Sequence, residues 1–299
     1  MSDNPVRTQR RGIGFFTGAG LVFLVAVAWG VVRAFLPSPP SWGPPSASAL
    51  EVVASPSVSV EILPSAASLA SARFEDFDVS RDAVVIVRRF GRLYDLTSGD
   101  AVLASDVQVR SAAFVGDTLA VVAEGAADIG YLDGSRLRLA GASPTDQPRL
   151  VGATDGSRLF VLRGTRDDEG ARPAVVAVRP GTEPEVLTGA FEPVEVAAGD
   201  ANRLVYAIGG ALFQVLEPGQ PALLLSLPDR GEAIVGVAVD GGATWFSTSR
   251  VVYALTDGLA VPLVSGLGGS LRAAAGALFV LDATQGRVYR IGRRDRGTP

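Results

Sequence analysis

The chain has 299 residues, with 27 basic and 31 acidic side chains and a formal net charge of −4. It holds no Cys, no His and no Lys, so every basic residue is arginine. These absences exclude a disulfide framework, a thiol or Ser-His-Asp nucleophile, a His-ligated metal, a Schiff base and a P-loop lysine. Arginine as the sole cation, beside abundant Ala, Gly and Val, fits the codon bias of a GC-rich genome.

Residues 1–11 read as a basic tail. Gly12 to Val32 then run without a charge. At about 1.5 Å per residue, a helix of that length matches the hydrocarbon core of a bilayer. Segment 12–36 is therefore expected to be a transmembrane helix, stopped by Pro37. Arg7, Arg10 and Arg11 precede it and Arg33 follows, which predicts a cytoplasmic N-terminus. A cleaved signal peptide is the competing reading, with Ala47-Ser48-Ala49 as a small-residue site. Against it, the apolar run is longer than the usual h-region of about 7–15 residues. Under either reading the rest of the chain faces out of the cytoplasm. Residues 37–56 hold six prolines and five serines and read as an extended linker.

From residue 57 the chain repeats at a period of roughly 40 residues, the signal of a propeller or solenoid. Apolar tetrads begin at Val84, Leu119, Leu159, Leu204, Thr244 and Leu278, each after a turn rich in Gly, Asp or Asn. A second strand follows each tetrad, for example Arg92-Leu93-Tyr94-Asp95-Leu96 and Val251-Val252-Tyr253-Ala254-Leu255. Their two-residue alternation is that of strands. Five of the six units add an outer strand, including Ala101-Val102-Leu103-Ala104; the sixth does not. A short strand precedes each tetrad. Six four-stranded units predict an all-β fold, a six-bladed β-propeller over 57–293, with a tail at 294–299. An unpaired edge in the last blade would leave the ring open. The alternating stretch Val58-Ser59-Val60-Glu61-Ile62-Leu63 is expected to pair there and close it.

The stretch Val235-Gly236-Val237-Ala238-Val239-Asp240-Gly241-Gly242-Ala243-Thr244-Trp245-Phe246, followed by Arg250-Val251-Val252-Tyr253-Ala254-Leu255, resembles the NHL-type repeat. Val196 to Asp200 and Val151 to Asp155 are degenerate versions, and Pro193 and Pro148 match the proline of that pattern. Its frequent Asn-His pair is absent. The resemblance implies a six-bladed ring of NHL-like repeats and no activity; the membrane anchor is expected from the apolar segment 12–36, in a bacterial protein. Asp240-x-Gly242-x-Thr244-Trp245 also resembles an Asp-box, with Ala238 in place of its Ser or Thr; it reads as a structural turn with a buried aromatic.

The NHL-like pattern places ligands on the face built by the turns between second and third strands. Segment Arg88-Arg89-Phe90-Gly91 belongs to that face. So does the longest loop, in which Arg163, Arg166, Asp167, Asp168, Glu169 and Arg172 form a dense mixed-charge cluster. These six are the expected binding residues, acting through paired arginine–carboxylate contacts. The loop lacks the spacing of a Ca²⁺ loop, so no metal site is expected there. Six-bladed lactonases line the channel with Glu, Asn and Asp. The channel strands here offer Glu75, Asp76 and Asp78 in one blade and Glu195 in another; elsewhere they read Ala, Val, Gly or Ser.

No catalytic residue and no cofactor follows from these residues. Residues 1–49 carry four Arg and one Asp, so the remainder is acidic and unsuited to nucleic acid. The expected protein is a single-pass bacterial membrane protein, anchored by Gly12–Val32. Its extracytoplasmic propeller serves as a non-enzymatic scaffold for a protein or small-molecule ligand. The alternative is a lactonase- or lyase-type propeller enzyme using carboxylates, with or without a divalent metal.

Overall fold

The computed structural model describes residues 52–103, 107–126, 128–133, 136–142, 148–162, 172–179, 182–190, 194, 196–228 and 231–294. Segment 12–36 and most of the linker 37–56 lie outside them. Among the described residues no helix is long and apolar enough to cross a membrane. The one helical feature among them is a 3-10 turn, Ala67–Leu69.

Six antiparallel sheets form a six-bladed propeller. The innermost strands are Asp76–Val79, Val109–Val115, Arg149–Gly152, Val196–Gly199, Gly236–Asp240 and Ser270–Ala274, one for each of blades 1 to 6. They touch in chain order, and the last meets the first. Turns between first and second strands lie on one face, here the lower. Turns between second and third strands lie on the other, the upper.

The apolar tetrads become the second strands, such as Leu159–Leu162, Leu204–Ile208 and Ala243–Ser247. A strand covered on both faces reads as a continuous apolar run rather than an alternating one. Leu159, Phe160, Val161 and Leu162 are accordingly all fully buried. Stacked aromatic pairs fill two of the wedges between blades. Tyr206 and Phe213, 5.3 Å apart, pack in the cluster shared by blades 3 and 4. Phe246 and Tyr253, 4.9 Å apart, pack in the cluster shared by blades 4 and 5. Gly152 allows the inner strands of blades 2 and 3 to approach, because a Cβ there would meet the carbonyl oxygen of Phe114.

The strand Val58–Ile62 closes the ring. It pairs with Arg287–Arg293 in blade 6, from Val58 opposite Arg293 to Ile62 opposite Tyr289. The chain reaches it from blade 5. There Val53–Ala54, within the stretch read as linker, pairs with Ser265 and Val264 as a fifth strand. A turn through Pro56 then carries the chain across, with the Val58 N–H donating to Ser55 O at 3.1 Å. Proline presets the second position of such a turn.

Blade 1 departs from the expected pattern: of the stretch expected as its fourth strand, the described residues Ala101, Val102 and Leu103 form no strand. Pairing is limited to a single bridge between Tyr94 and Ala101. Asp95 Oδ1 accepts the N–H groups of Thr97 and Ser98 at 2.9 and 2.7 Å, making a tight turn. Leu103 is then drawn into the core between blades 1 and 2, against Leu93 and Val109. Burial of that leucine bends the chain off the sheet edge.

Candidate functional site

Two regions bear on function: the axial channel and the upper face above blades 1 and 2. The strand Asp76–Val79 places Asp76 and Asp78 on one side, since alternate residues of a strand share a face. Both are buried, at 8% and 5% exposure. Asp78 accepts from Arg272 Nε at 2.6 Å through Oδ1, and from the Phe114 N–H at 2.6 Å through Oδ2. Asp76 lies 3.8 Å from the Arg272 guanidinium and 3.5 Å from that of Arg149. Two carboxylates of blade 1 thus reach blades 2, 3 and 6. Arg272 also donates to Leu271 O at 2.8 Å and lies over the Phe77 ring, 5.6 Å from its centroid.

The electrostatics of this cluster are set by burial. Loss of solvent pushes the Asp78 carboxyl above its ordinary value, while the Arg272 charge and the Phe114 N–H pull it back. Burial also disfavours the Arg272 charge, but Asp78 and Asp76 outweigh it, so Arg272 is held more firmly protonated than usual. A charged guanidinium donates hydrogen bonds and accepts none, so it offers no base.

The channel below the cluster is a cavity of about 40 Å³. A single water needs roughly 10–15 Å³ by the same measure, so the space suits a few waters and no sugar-sized ring. Thr154 braces the lower end, donating from Oγ1 to Val239 O at 2.6 Å, between blades 3 and 5. No three of His, Cys, Asp and Glu gather around a point among the described residues. The carboxylates singled out in the sequence, Asp76 and Asp78, are occupied by arginines. Glu75 turns away to the upper face, and Glu195 lies outside the described residues.

That upper face carries an exposed aromatic. Phe90, in the turn between the second and third strands of blade 1, is 75% exposed with φ at 50°. Positive φ is uncommon for a bulky residue and costs of the order of 1 kcal/mol or more, so the surroundings must impose it. The two-residue hairpin turn does so: Arg89 pairs with Arg92, which leaves Phe90 and Gly91 both at positive φ, as in the turns Asp257-Gly258 and Ala275-Gly276. Glu75 supports that turn, with Oε1 accepting the Phe90 N–H at 3.0 Å and Oε2 pairing with Arg88 at 2.9 Å. The Arg89 guanidinium lies 5.1 Å from the Phe90 ring centroid. In blade 2, Arg110 pairs with Glu124 at 2.9 Å. Together these make a rim of arginines and carboxylates around one aromatic ring.

Of the predicted loop cluster, Arg163, Arg166, Asp167, Asp168 and Glu169 lie outside the described residues. Arg172 begins the third strand of blade 3, with its backbone opposite Ala190. The flanking strands Leu159–Leu162 and Arg172–Val178 put both loop ends on the face that carries Phe90. Sequence reasoning missed Arg272. Its signal was a single charge within Gly269-Ser270-Leu271-Arg272-Ala273-Ala274, otherwise small or apolar in an innermost strand. Trp245, the aromatic expected to be buried after the Asp240 turn, is only half-buried; the buried one is its neighbour Phe246, on the opposite face of the sheet.

No family model matches the chain, and no curated protein matches it. Solved structures do. A gluconolactonase from Xanthomonas campestris is 18% identical with a TM-score of 0.57, over 81% of this chain and 99% of that one. A putative oxidoreductase (glucose dehydrogenase) from Thermus thermophilus is 16% identical with a TM-score of 0.54, over 78% and 99%. The extracellular domain of a putative one-component system from B. thetaiotaomicron is 14% identical with a TM-score of 0.50, over 74% and 33%. Likeness at these identities establishes the propeller fold and no more.

Proposed function

We propose that this chain is a membrane-tethered, extracytoplasmic propeller of NHL-like repeats, of bacterial origin, that binds a protein partner on its upper face and catalyses no reaction. The observation that carries the reading is Phe90: a largely exposed aromatic ring on a tight two-residue turn, with its N–H held by Glu75 and flanked by Arg88 and Arg89. Aromatic and arginine side chains dominate the energetics of protein interfaces. A ring fixed in advance loses little entropy on binding. The loop residues Arg163, Arg166, Asp167, Asp168, Glu169 and Arg172 extend the same face into blade 3 and are proposed to supply paired charge contacts. Segment 12–36 is proposed as the anchor, with the N-terminus in the cytoplasm. The filled channel supports the absence of a reaction chamber.

The test is cross-linking and recovery from native membranes with the intact chain and with Phe90→Ala. The variant should keep its melting temperature and lose the recovered partner. Equal recovery would overturn the reading. The lactonase alternative rests on the likeness to the Xanthomonas campestris protein. Saturable hydrolysis of glucono-1,5-lactone, dependent on an added divalent ion and lost in Asp76→Asn, would favour it.

A further inference from the structure

The wedge between blades 5 and 6 is packed differently from its neighbours. Its upper half is filled by Val252, Val264, Leu267 and the buried Tyr289. Its lower half opens into a cleft of about 810 Å³, some twenty times the channel cavity. Protein interiors rarely leave such gaps, and ligand pockets span roughly 300–1,000 Å³. The local cause is residue size. The wedges between blades 3 and 4 and between blades 4 and 5 hold stacked aromatic pairs, whereas here Trp245 faces into the cleft beside its cross-strand partner Ala254, with Ala277 across the gap. Leu263 completes the aliphatic wall, backed by the buried Leu278 and Ile291, and the crossing segment Ser55–Val58 bounds the outer side.

The rim is charged. Arg293 and Arg294 stand exposed at the lower mouth, and neither has an ion-pair partner among the described residues. Asp240 occupies the opposite lip. Two free guanidiniums attract an anionic head group, and the facing carboxylate disfavours a doubly charged one. We propose that this cleft binds an aliphatic monocarboxylate, its chain against Trp245, Ala254 and Leu263 and its carboxylate on Arg293 and Arg294. The site is separate from the upper face, and it stands whether or not that face binds a protein.

The full chain, reconstituted in nanodiscs and carrying Trp29→Phe and Trp42→Phe, leaves Trp245 as the single indole. Titration with octanoate, corrected with protein-free nanodiscs, should give a saturable fluorescence change with one site. Octanol should bind at least tenfold more weakly. Arg293→Gln with Arg294→Gln should weaken octanoate binding at least tenfold. Filling the cleft by Ala254→Leu, or by Ala277→Phe if the first variant leaves room, should abolish the change while the circular dichroism stays that of the parent. No saturable change in the parent overturns the proposal. So does equal affinity for octanol, or unaltered octanoate affinity in the arginine double variant.

Discussion

The two arcs of the ring are held together by different physics. In the arc of blades 6, 1 and 2 the axis is braced by buried charge, with Asp76 and Asp78 tied to Arg272 and, across the seam to blade 3, Asp76 to Arg149. That arc also contains the three-stranded blade and the strand that closes the circle. In the arc of blades 3, 4 and 5 the inner strands carry Ala197, Ala198, Val237, Ala238 and Val239 and meet by close packing. At the seam from blade 5 to blade 6, Gly236 permits the same close approach, since a Cβ there would meet Gly269 O and Ser247 Oγ. Small side chains let strands touch directly. Where carboxylates face the axis the strands are bridged by long arginines, and each bridge must stay complete, because half of a buried ion pair costs more than its absence.

The largest effect should come from breaking the closing strand. Deleting 57–63 removes five paired residues and the buried Val58 from blade 6, and it opens the ring. The melting temperature should fall by roughly 10 °C or more. Deleting only Val53 and Ala54, a two-residue edge pairing, should lower it far less. Equal losses by calorimetry would show that the ring does not depend on its closure.

The charged brace comes next. Arg272→Met leaves Asp78 buried without its partner and should cost about 3–5 kcal/mol in denaturant unfolding. Adding Asp78→Asn should recover part of that loss, with a coupling of more than about 1 kcal/mol. Strictly additive single effects would contradict the brace.

The apolar arc should answer to volume instead. Gly236→Ala should cost about 1–3 kcal/mol by overpacking, with no dependence on salt. An unchanged unfolding midpoint would mean that the inner strands of blades 5 and 6 can move apart freely.

The smallest effect contrasts the two arcs by pH. Asp155, on the lower face, accepts from the Ser157 N–H and hydroxyl and from Ala201 N at 2.9 Å, linking blades 3 and 4. Partial burial opposes its charge, but these donors win and hold its carboxyl below the ordinary 3.8. Its contribution is present above that value and is lost as the pH falls through the lowered one. Asp78 has the opposite sign: its raised carboxyl makes the native state prefer the proton, so that stability declines as the pH rises from 3.8 through the raised value. Asp155→Asn should cost about 1 kcal/mol at neutral pH and make stability less steeply dependent on pH below about 4. A steeper dependence in that variant would reverse the assignment.

Much of this was legible in the chain itself. The 40-residue period, the Gly and Asp turns and the continuous apolar tetrads fix six blades, because each reflects local backbone chemistry or burial on both faces of a strand. The alternation of Val58 to Leu63, set against a sixth unit short of one strand, identified the closure. Asp76 and Asp78 were recognisable as polar residues in a channel strand. What their charges met was not. Arg272 lies 194 residues beyond Asp78 in sequence, and only the closed circle brings blade 6 beside blade 1. The same holds for the contact between Glu75 and the Phe90 N–H across the strand pair, and for the cleft, where Trp245, Ala277 and Arg293 meet between two sheets. Repeats and turns are encoded over a few residues at a time. The occupancy of the axis and the emptiness of a wedge depend on side chains from separate blades, which only the closed ring brings into contact.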